Sequence, residues 1–321
     1  MFLILGGGFG LYGYLPALVL GCGETVLLPQ RYRERLLERE DIRSLQDDVL
    51  WVDNEQQALD QATAVVISKR PQDQVYWIER CLQRRALVDL ILEKPLAPSP
   101  EQAISLMDRL EQAGKNFRIS YLFRLTDWGR ALRHQLTQPN ECKELIIDWQ
   151  FQAHHYTHGL NNWKRFTSQG GGALRFYGIH LIALLAELGY NTAIQSSLTG
   201  ASADEAQRWH ATLSGQGLPT CRLCVQSNSS VSRFAVRLFT SELLTLVDLK
   251  EPFANALSSP DQAHFDNRFA LLTQVCQSLK EDRASYYPWY RRTLDLWTRI
   301  EQQTVHKERP NDATGQPISS L

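Results

Sequence analysis

Three short constellations in this 321-residue chain have residue types and spacings that can do chemistry. The first is Gly6-Gly7-Gly8-Phe9-Gly10, directly after the apolar run Phe2 to Leu5. Glycines at a strand end let backbone approach a pyrophosphate, and the next helix offers its positive N-terminus. The second is Glu93-Lys94-Pro95, which closes the apolar run Ala86 to Leu92. A buried ammonium is unfavourable unless it faces a cleft, so Lys94 is expected to face one. The third is Gly170-Gly171-Gly172, leading into the apolar stretch Ala173 to Leu188 with the imidazole of His180 inside it. Phe176 lies one helical turn before His180 on the same face, and Tyr177 beside it could supply a hydroxyl. Together these residues point to nucleotide-dependent oxidation or reduction; no one of them is sufficient.

The glycine loop fits the dinucleotide pattern in two registers. Gly8 to Gly13 matches it literally; Gly6 to Leu11 puts the first glycine at the strand end and is preferred. Gly6, Gly8, Phe9, Gly10 and Leu11 are then the cofactor-binding loop. The next strand ends in Leu28-Pro29-Gln30-Arg31-Tyr32-Arg33, with no acid before Glu34. Arg31 and Arg33 suit a 2′-phosphate, which favours NADP over NAD, although the same residues also read as a solvated helix face. Ser68, Lys69 and Arg70 end a further strand at the carboxyl edge, where open α/β sheets bind ligands.

The elements that must position these groups alternate through the first 118 residues. Strands are predicted at Phe2 to Leu5, Thr25 to Leu28, Ala64 to Ser68 and Ala86 to Leu92. Helices are predicted at Leu11 to Leu20, Arg31 to Gln46, Gln74 to Arg85 and Ser99 to Ala113. The fold class is therefore α/β, an N-terminal Rossmann dinucleotide-binding domain over 1–118. From 119 to 305 the texture changes. Strands at Glu144 to Gln152, Ala211 to Ser214, Cys221 to Gln226, Ser232 to Leu238 and Leu243 to Leu249 suggest an α+β domain with an open, largely antiparallel sheet. Helices are predicted at Ala173 to Leu188, about Asp261 to Leu279 and Tyr287 to Gln303, and the polar segment 306–321 is expected to be a flexible tail.

Composition narrows the function classes. The net charge of −1 gives no reason to expect nucleic acid, and no apolar run reaches the roughly 18 residues of a membrane span. Six scattered cysteines and the lack of a signal-peptide pattern point to the reduced cytoplasm. Cys221 and Cys224 lie three apart on a strand and so face opposite ways; no metal is expected.

With its ordered motifs, the chain resembles the Gfo/Idh/MocA oxidoreductases from Met1 to about Trp297. The resemblance includes Leu15-Pro16-Ala17-Leu18, Glu93-Lys94-Pro95-Leu96-Ala97, Tyr121 to Arg124, and Trp163 ahead of Gly170-Gly171-Gly172. It implies an NAD(P)-dependent enzyme that transfers hydride to or from a sugar, nucleotide sugar or related polyol. It also implies a homodimer or homotetramer built on the second sheet. By the same resemblance Lys94, beside Glu93, helps hold the nicotinamide ribose and the reacting oxygen. His180 matches the family's histidine; Phe176 and Ala183 stand where the family often has aspartates. Substrate contacts are expected from Tyr121, Arg124, Trp163, Lys164, Phe176 and His180, and catalysis from Lys94, His180 and Tyr177. His154, His155, His158 and Arg165 are further candidates for the cleft. The loss of both aspartates leaves a second reading, a non-catalytic dinucleotide- or sugar-nucleotide-binding regulator or scaffold.

Overall fold

A computed structural model describes residues 1–138, 142–240, 242–254 and 264–308. Six short strands, β1 (Phe2–Leu5), β2 (Val26–Pro29), β3 (Val49–Val52), β4 (Ala64–Ile67), β5 (Asp89–Leu92) and β6 (Asn116–Ile119), form one sheet in the order β3-β2-β1-β4-β5-β6. Every pairing in it is parallel, and the order reverses at β1, where an open α/β sheet has its ligand crevice. β1, β2 and β4 are buried along their whole length, as parallel strands covered on both faces must be. The helices Pro71–Leu82 and Pro100–Gln112 both open on proline, which gives up no needed donor in a first turn. Ser99 caps the second by accepting from Gln102 N at 3.4 Å.

The second sheet has seven strands: β7 (Glu144–Gln152), β8 (Thr192–Gly200), β9 (Ala206–Ser214), β10 (Thr220–Gln226), β11 (Asn228–Phe239), β12 (Leu243–Leu249) and β13 (Thr304–Glu308). Their order is β12-β11-β7-β10-β9-β8-β13. Four pairings are antiparallel, but β10 runs parallel to β7 and β13 parallel to β8, so the sheet is mixed. The helix Ile179–Leu188 is buried along nearly its whole length and packs against Tyr287–Gln303; Trp289 Nε1 donates to Ala183 O at 2.7 Å. Ala183, an aspartate position by family resemblance, is thus sealed beneath an indole.

Several expected elements differ. β3 and β6 occupy segments not read as strands: β3 faces partly outward, and β6 carries Asn116 and Arg118 among its apolar residues. Arg31 to Gln46 is not one helix; 3-10 turns at Gln30–Tyr32 and Arg43–Asp47 flank the short helix Arg33–Leu37. The helix expected at about Asp261 to Leu279 begins at Phe269, and residues 261–263 lie outside the described residues. It packs on the glycine-loop helix, with Leu272, Val275 and Cys276 in one core with Leu11, Leu15 and Leu18. The expected tail starts too early, because His306, Lys307 and Glu308 complete β13, which opens on the β-branched Thr304 and Val305 and runs beside β8. The remainder of that tail, 309–321, lies outside the described residues. No described helix is long and apolar enough to cross a membrane.

Candidate active site

The glycine loop is built by close packing. Gly6 has φ +151°, and a Cβ there would lie 2.2 Å from Ser68 O. Gly8 is exposed, with nothing within 4 Å of where its Cβ would be. After Phe9 the helix has π-helical turns, Gly10–Tyr14 and Ala17–Gly21, on either side of Pro16. Pro16 has no N–H to give the α-helical ladder, so the turns widen around it. A cavity of about 490 Å³ opens in front of the loop, lined by Gly6, Gly7, Arg31, Tyr32, Arg35, Ser68, Lys69, Arg70 and Trp163.

The cavity's basic lining differs from expectation at one residue. Arg31 is present, ion-paired with Glu55. Glu55 also accepts from Tyr32 Oη at 3.0 Å and Lys69 Nζ at 3.5 Å. Arg33 is not: its guanidinium lies over Trp51, 5.8 Å from the ring centroid. Arg35 takes the place, with Nη1 3.2 Å from the Cβ position of Gly7. The physical reason is helical spacing: Arg35 follows Arg31 by four residues and shares its face, whereas Arg33, two residues from each, points away toward Trp51.

Lys94 lies at the end of β5, beside a cis Lys94–Pro95 peptide. Gln74, fully buried on the helix Pro71–Leu82, clamps this corner. Its Nε2 donates to Glu93 O at 2.8 Å, Leu96 O at 3.1 Å and Pro95 O at 3.2 Å, and its Oε1 accepts from Glu93 N at 2.8 Å. The Glu93 carboxylate accepts from Tyr14 Oη at 2.6 Å, and Tyr14 Oη also meets Ser120 Oγ at 2.5 Å. Burial pushes the Glu93 carboxyl up, with Lys94 and Tyr14 acting against that. Lys94 Nζ donates to Phe176 O at 2.9 Å and sits 3.7 Å from the centroid of the Phe176 ring. Burial, opposed by Glu93 and reinforced by Lys164 and Arg268, brings its amine down to about 7. At neutral pH both protonation states are therefore populated, which is what a proton-transfer group needs.

The opposite wall comes from the glycine-triplet helix. A Cβ on Gly171 would lie 2.3 Å from Trp163 O, so this glycine lets the Trp163-Lys164-Arg165 turn close onto the helix start. Ala173–Gly178 is π-helical before the α-helix takes over at Ile179. Arg175 ties the wall together, bonding Glu301 at 2.8 Å, Pro98 O at 2.9 Å and Thr167 O at 3.0 Å. Trp163 meets Phe176 edge-on at 5.0 Å, Lys164 Nζ lies 5.3 Å from the same ring, and Tyr177 packs on Phe176 and Phe151. Burial raises the Tyr177 hydroxyl, so it stays a neutral donor.

His180 is 5% exposed and stacks on Phe123 at 4.8 Å, with Nδ1 buried and without a hydrogen-bond partner. Burial, then the positive charges of Lys94 and Arg268, hold it well below its ordinary value. It is a neutral imidazole at pH 7; Lys94 is the group that titrates there. The structure thus brings Lys94, Phe176, Tyr177, Lys164, Trp163 and His180 together.

It does not bring Tyr121 and Arg124 to them. Tyr121 packs on Trp289 and Tyr290, and Arg124 pairs with Glu187 at 3.0 Å above Trp289. His154 and His158 stack on each other, and Arg165 pairs with Glu205 at 2.6 Å. His155 is buried beside Tyr177, held down to about 4 by burial and the neighbouring Lys164 and Arg165.

Four contributors were not anticipated: Gln74, Tyr14, Ser120 and Arg268. Arg268 bonds Asp266 at 2.7 and 2.8 Å, lies 4.2 Å from the Phe9 ring centroid, and presents its charge to Lys94 and His180. Gln74 left one signal, a polar residue on the buried face shared by Ile78 and Cys81. Among the described residues no group of three or more His, Cys, Asp or Glu side chains could hold a metal ion.

The sequence matches no protein-family model and no curated protein. Solved structures share its fold. KijD10, a 3-ketoreductase of Actinomadura kijaniata solved with NADP and TDP-benzene, superposes with a TM-score of 0.70 at 16% identity, covering 96% of this chain and 99% of that one. GenD2, from gentamicin A biosynthesis and solved with NAD, gives 0.68 at 14% identity over 94% of this chain and 91% of its own. At such identities the likeness is one of fold: a Rossmann-like parallel sheet joined to a mixed sheet.

Proposed function

We propose that this chain is an NAD(P)-dependent oxidoreductase of the Gfo/Idh/MocA type, transferring hydride to or from a sugar, nucleotide sugar or related polyol. The carrying observation is Lys94. A half-buried amine brought to about 7 stands at the carboxyl end of β5, between the glycine loop and the helix that bears His180. The names of the neighbours support the reading, since KijD10 is a ketoreductase solved with NADP and GenD2 was solved with NAD.

The residues around the loop fit a dinucleotide. Gly6 allows β1 and β4 to close up, Gly8 leaves open space, and Arg31, Arg35, Lys69 and Arg70 line the cavity with positive charge. Bound nicotinamide would supply or accept the hydride at a substrate carbon. Lys94 Nζ holds the substrate oxygen, giving it a proton in reduction and taking one in oxidation. Neutral His180 and Tyr177 orient that oxygen by hydrogen bonding, and the aromatic wall excludes water. The chain works in the reduced cytoplasm as a homo-oligomer, consistent with six scattered cysteines and a broad second sheet.

Paired NADH and NADPH titrations, followed by turnover on nucleotide-sugar and polyol substrates, test this. NADPH is expected to bind more tightly, and Arg35→Ala to weaken NADPH by about tenfold while leaving NADH within about twofold, one charge-assisted contact being at stake. Equal losses with both cofactors would remove Arg35 from the 2′-phosphate. The pH profile gives a second prediction. Reduction needs the Lys94 ammonium, so its rate is expected to fall as pH rises through about 7; oxidation needs the free amine and is expected to rise through the same value. Profiles flat from pH 6 to 8 in both directions would take the proton away from Lys94.

One observation favours the non-catalytic reading: the Phe176 ring and carbonyl already occupy the Lys94 amine. Saturable dinucleotide binding without turnover on any substrate in the panel would establish it.

A further inference from the structure

The turn Leu122–Leu125 has two sides. On one, Phe123 stacks on His180. On the other, Tyr121 and Arg124 line a cavity of about 170 Å³ with Arg118, Tyr286 and Trp289. None of its lining residues lines the glycine-loop cavity, and neither Lys94 nor His180 is among them.

Two donors in its wall are buried and make no hydrogen bond in the protein: Tyr121 Oη and Arg118 Nε. Tyr121 is 2% exposed and Arg118 1%. Arg118 cannot turn to find another partner. Its Nη1 is fixed on Asn116 Oδ1 and Phe117 O, both at 2.9 Å, and its Nη2 on Ser278 O at 2.6 Å and Glu281 O at 2.8 Å. All four acceptors are neutral, and Arg118 makes no ion pair among the described residues. The Glu281 carboxylate, the nearest acid in the lining, is taken by Tyr286 Oη at 2.6 Å. A buried guanidinium without a carboxylate is an incomplete arrangement that an anion completes.

The walls specify the rest of the ligand. Tyr286 stacks under the Arg118 guanidinium at 3.9 Å, which leaves the in-plane Nε–H free to donate, and Arg124 lies 4.4 Å from the Trp289 ring centroid. Burial keeps Tyr121 a neutral hydroxyl. A void of roughly 150 Å³ takes one benzene ring, so the space suits a single-ring body.

We propose that this cavity binds a small aromatic carboxylate. The carboxylate accepts from Arg118 Nε and Tyr121 Oη, with Arg124 adding positive charge, and the ring lies against Tyr286 and Trp289. This goes beyond the proposed oxidoreductase activity and does not depend on it.

Calorimetric titration of the whole protein with benzoate tests it, alongside benzyl alcohol, inorganic phosphate and NADPH. Saturable 1:1 benzoate binding is expected, unaffected by NADPH and not reproduced by benzyl alcohol or phosphate. Tyr121→Phe, which removes one hydroxyl, is expected to weaken it about tenfold; if that variant does not fold, Arg124→Gln is expected to weaken it at least as much. Absence of saturable benzoate binding, displacement by NADPH, equal binding of phosphate, or an undiminished affinity in the folded variant would each overturn the assignment.

Discussion

Lys94→Ala is expected to reduce kcat by about 10³-fold, the middle of the range for a positioned acid–base group. NADPH affinity is expected to change by less than about threefold, so the loss lies in turnover rather than binding. The substitution should leave the fold intact. Lys94 is partly exposed, and its attraction to Glu93 is offset by burial and by the positive Lys164 and Arg268, so its removal costs the fold little. The corner it stands on is held by Gln74, not by the lysine. Arginine is not expected to restore activity, because a guanidinium stays protonated across the working range. His180→Ala is expected to lose less, since His180 is already neutral and Lys94 carries the proton. The measurement is steady-state and single-turnover kinetics with NADPH on the best substrate found. A Lys94→Ala enzyme within tenfold of the parent would sink the role given to this residue, as would a larger loss in His180→Ala.

How much of this was legible in the sequence depended on whether the signal was local. The glycine loop after β1 and the lysine after β5 can be read because strand, turn and helix follow one another within about a dozen residues. β6 was missed because its alternation, Asn116-Phe117-Arg118-Ile119, spans only four residues; the two polar members serve contacts far along the chain, Asn116 Nδ2 to Leu279 O and Arg118 Nη2 to Ser278 O. Arg33 was read from its place at the strand end, without regard to helix phase; residues two apart point to different sides, and it is Arg35, four residues after Arg31, that lies at the loop. The Tyr14, Glu93 and Ser120 network joins residues 79 and 106 positions apart, and no spacing rule reaches that far. Family pattern singled out Tyr121 and Arg124, but the bulky Trp289 and Tyr290 draw them to the other side of their turn. The apolar period of Ala173 to Leu188 located a helix correctly, yet could not show that its first turns are π-helical.

Gly6→Ala is expected to weaken NADPH binding by at least about 100-fold and to lower the unfolding free energy by roughly 2–4 kcal/mol. The two losses share one cause. A methyl at Gly6 meets Ser68 O at 2.2 Å, and φ +151° suits no side chain. To make room, the ends of β1 and β4 must part where Ser68 N donates to Leu5 O at 2.8 Å, the rung that sets the floor of the cofactor cavity. Stability loss alone would not identify a binding loop, so Gly8→Ala is the necessary partner. Nothing lies within 4 Å of its Cβ position and its φ is ordinary; stability should stay within about 0.5 kcal/mol of the parent, as for most exposed changes. If Gly8 faces the pyrophosphate, the added methyl still weakens NADPH by an order of magnitude or more. Thermal or chemical unfolding and NADPH titration of both variants give four numbers. Weak binding in both, with instability only in Gly6→Ala, assigns the loop to the cofactor. Normal NADPH affinity in Gly8→Ala would leave the glycines as no more than a tight turn.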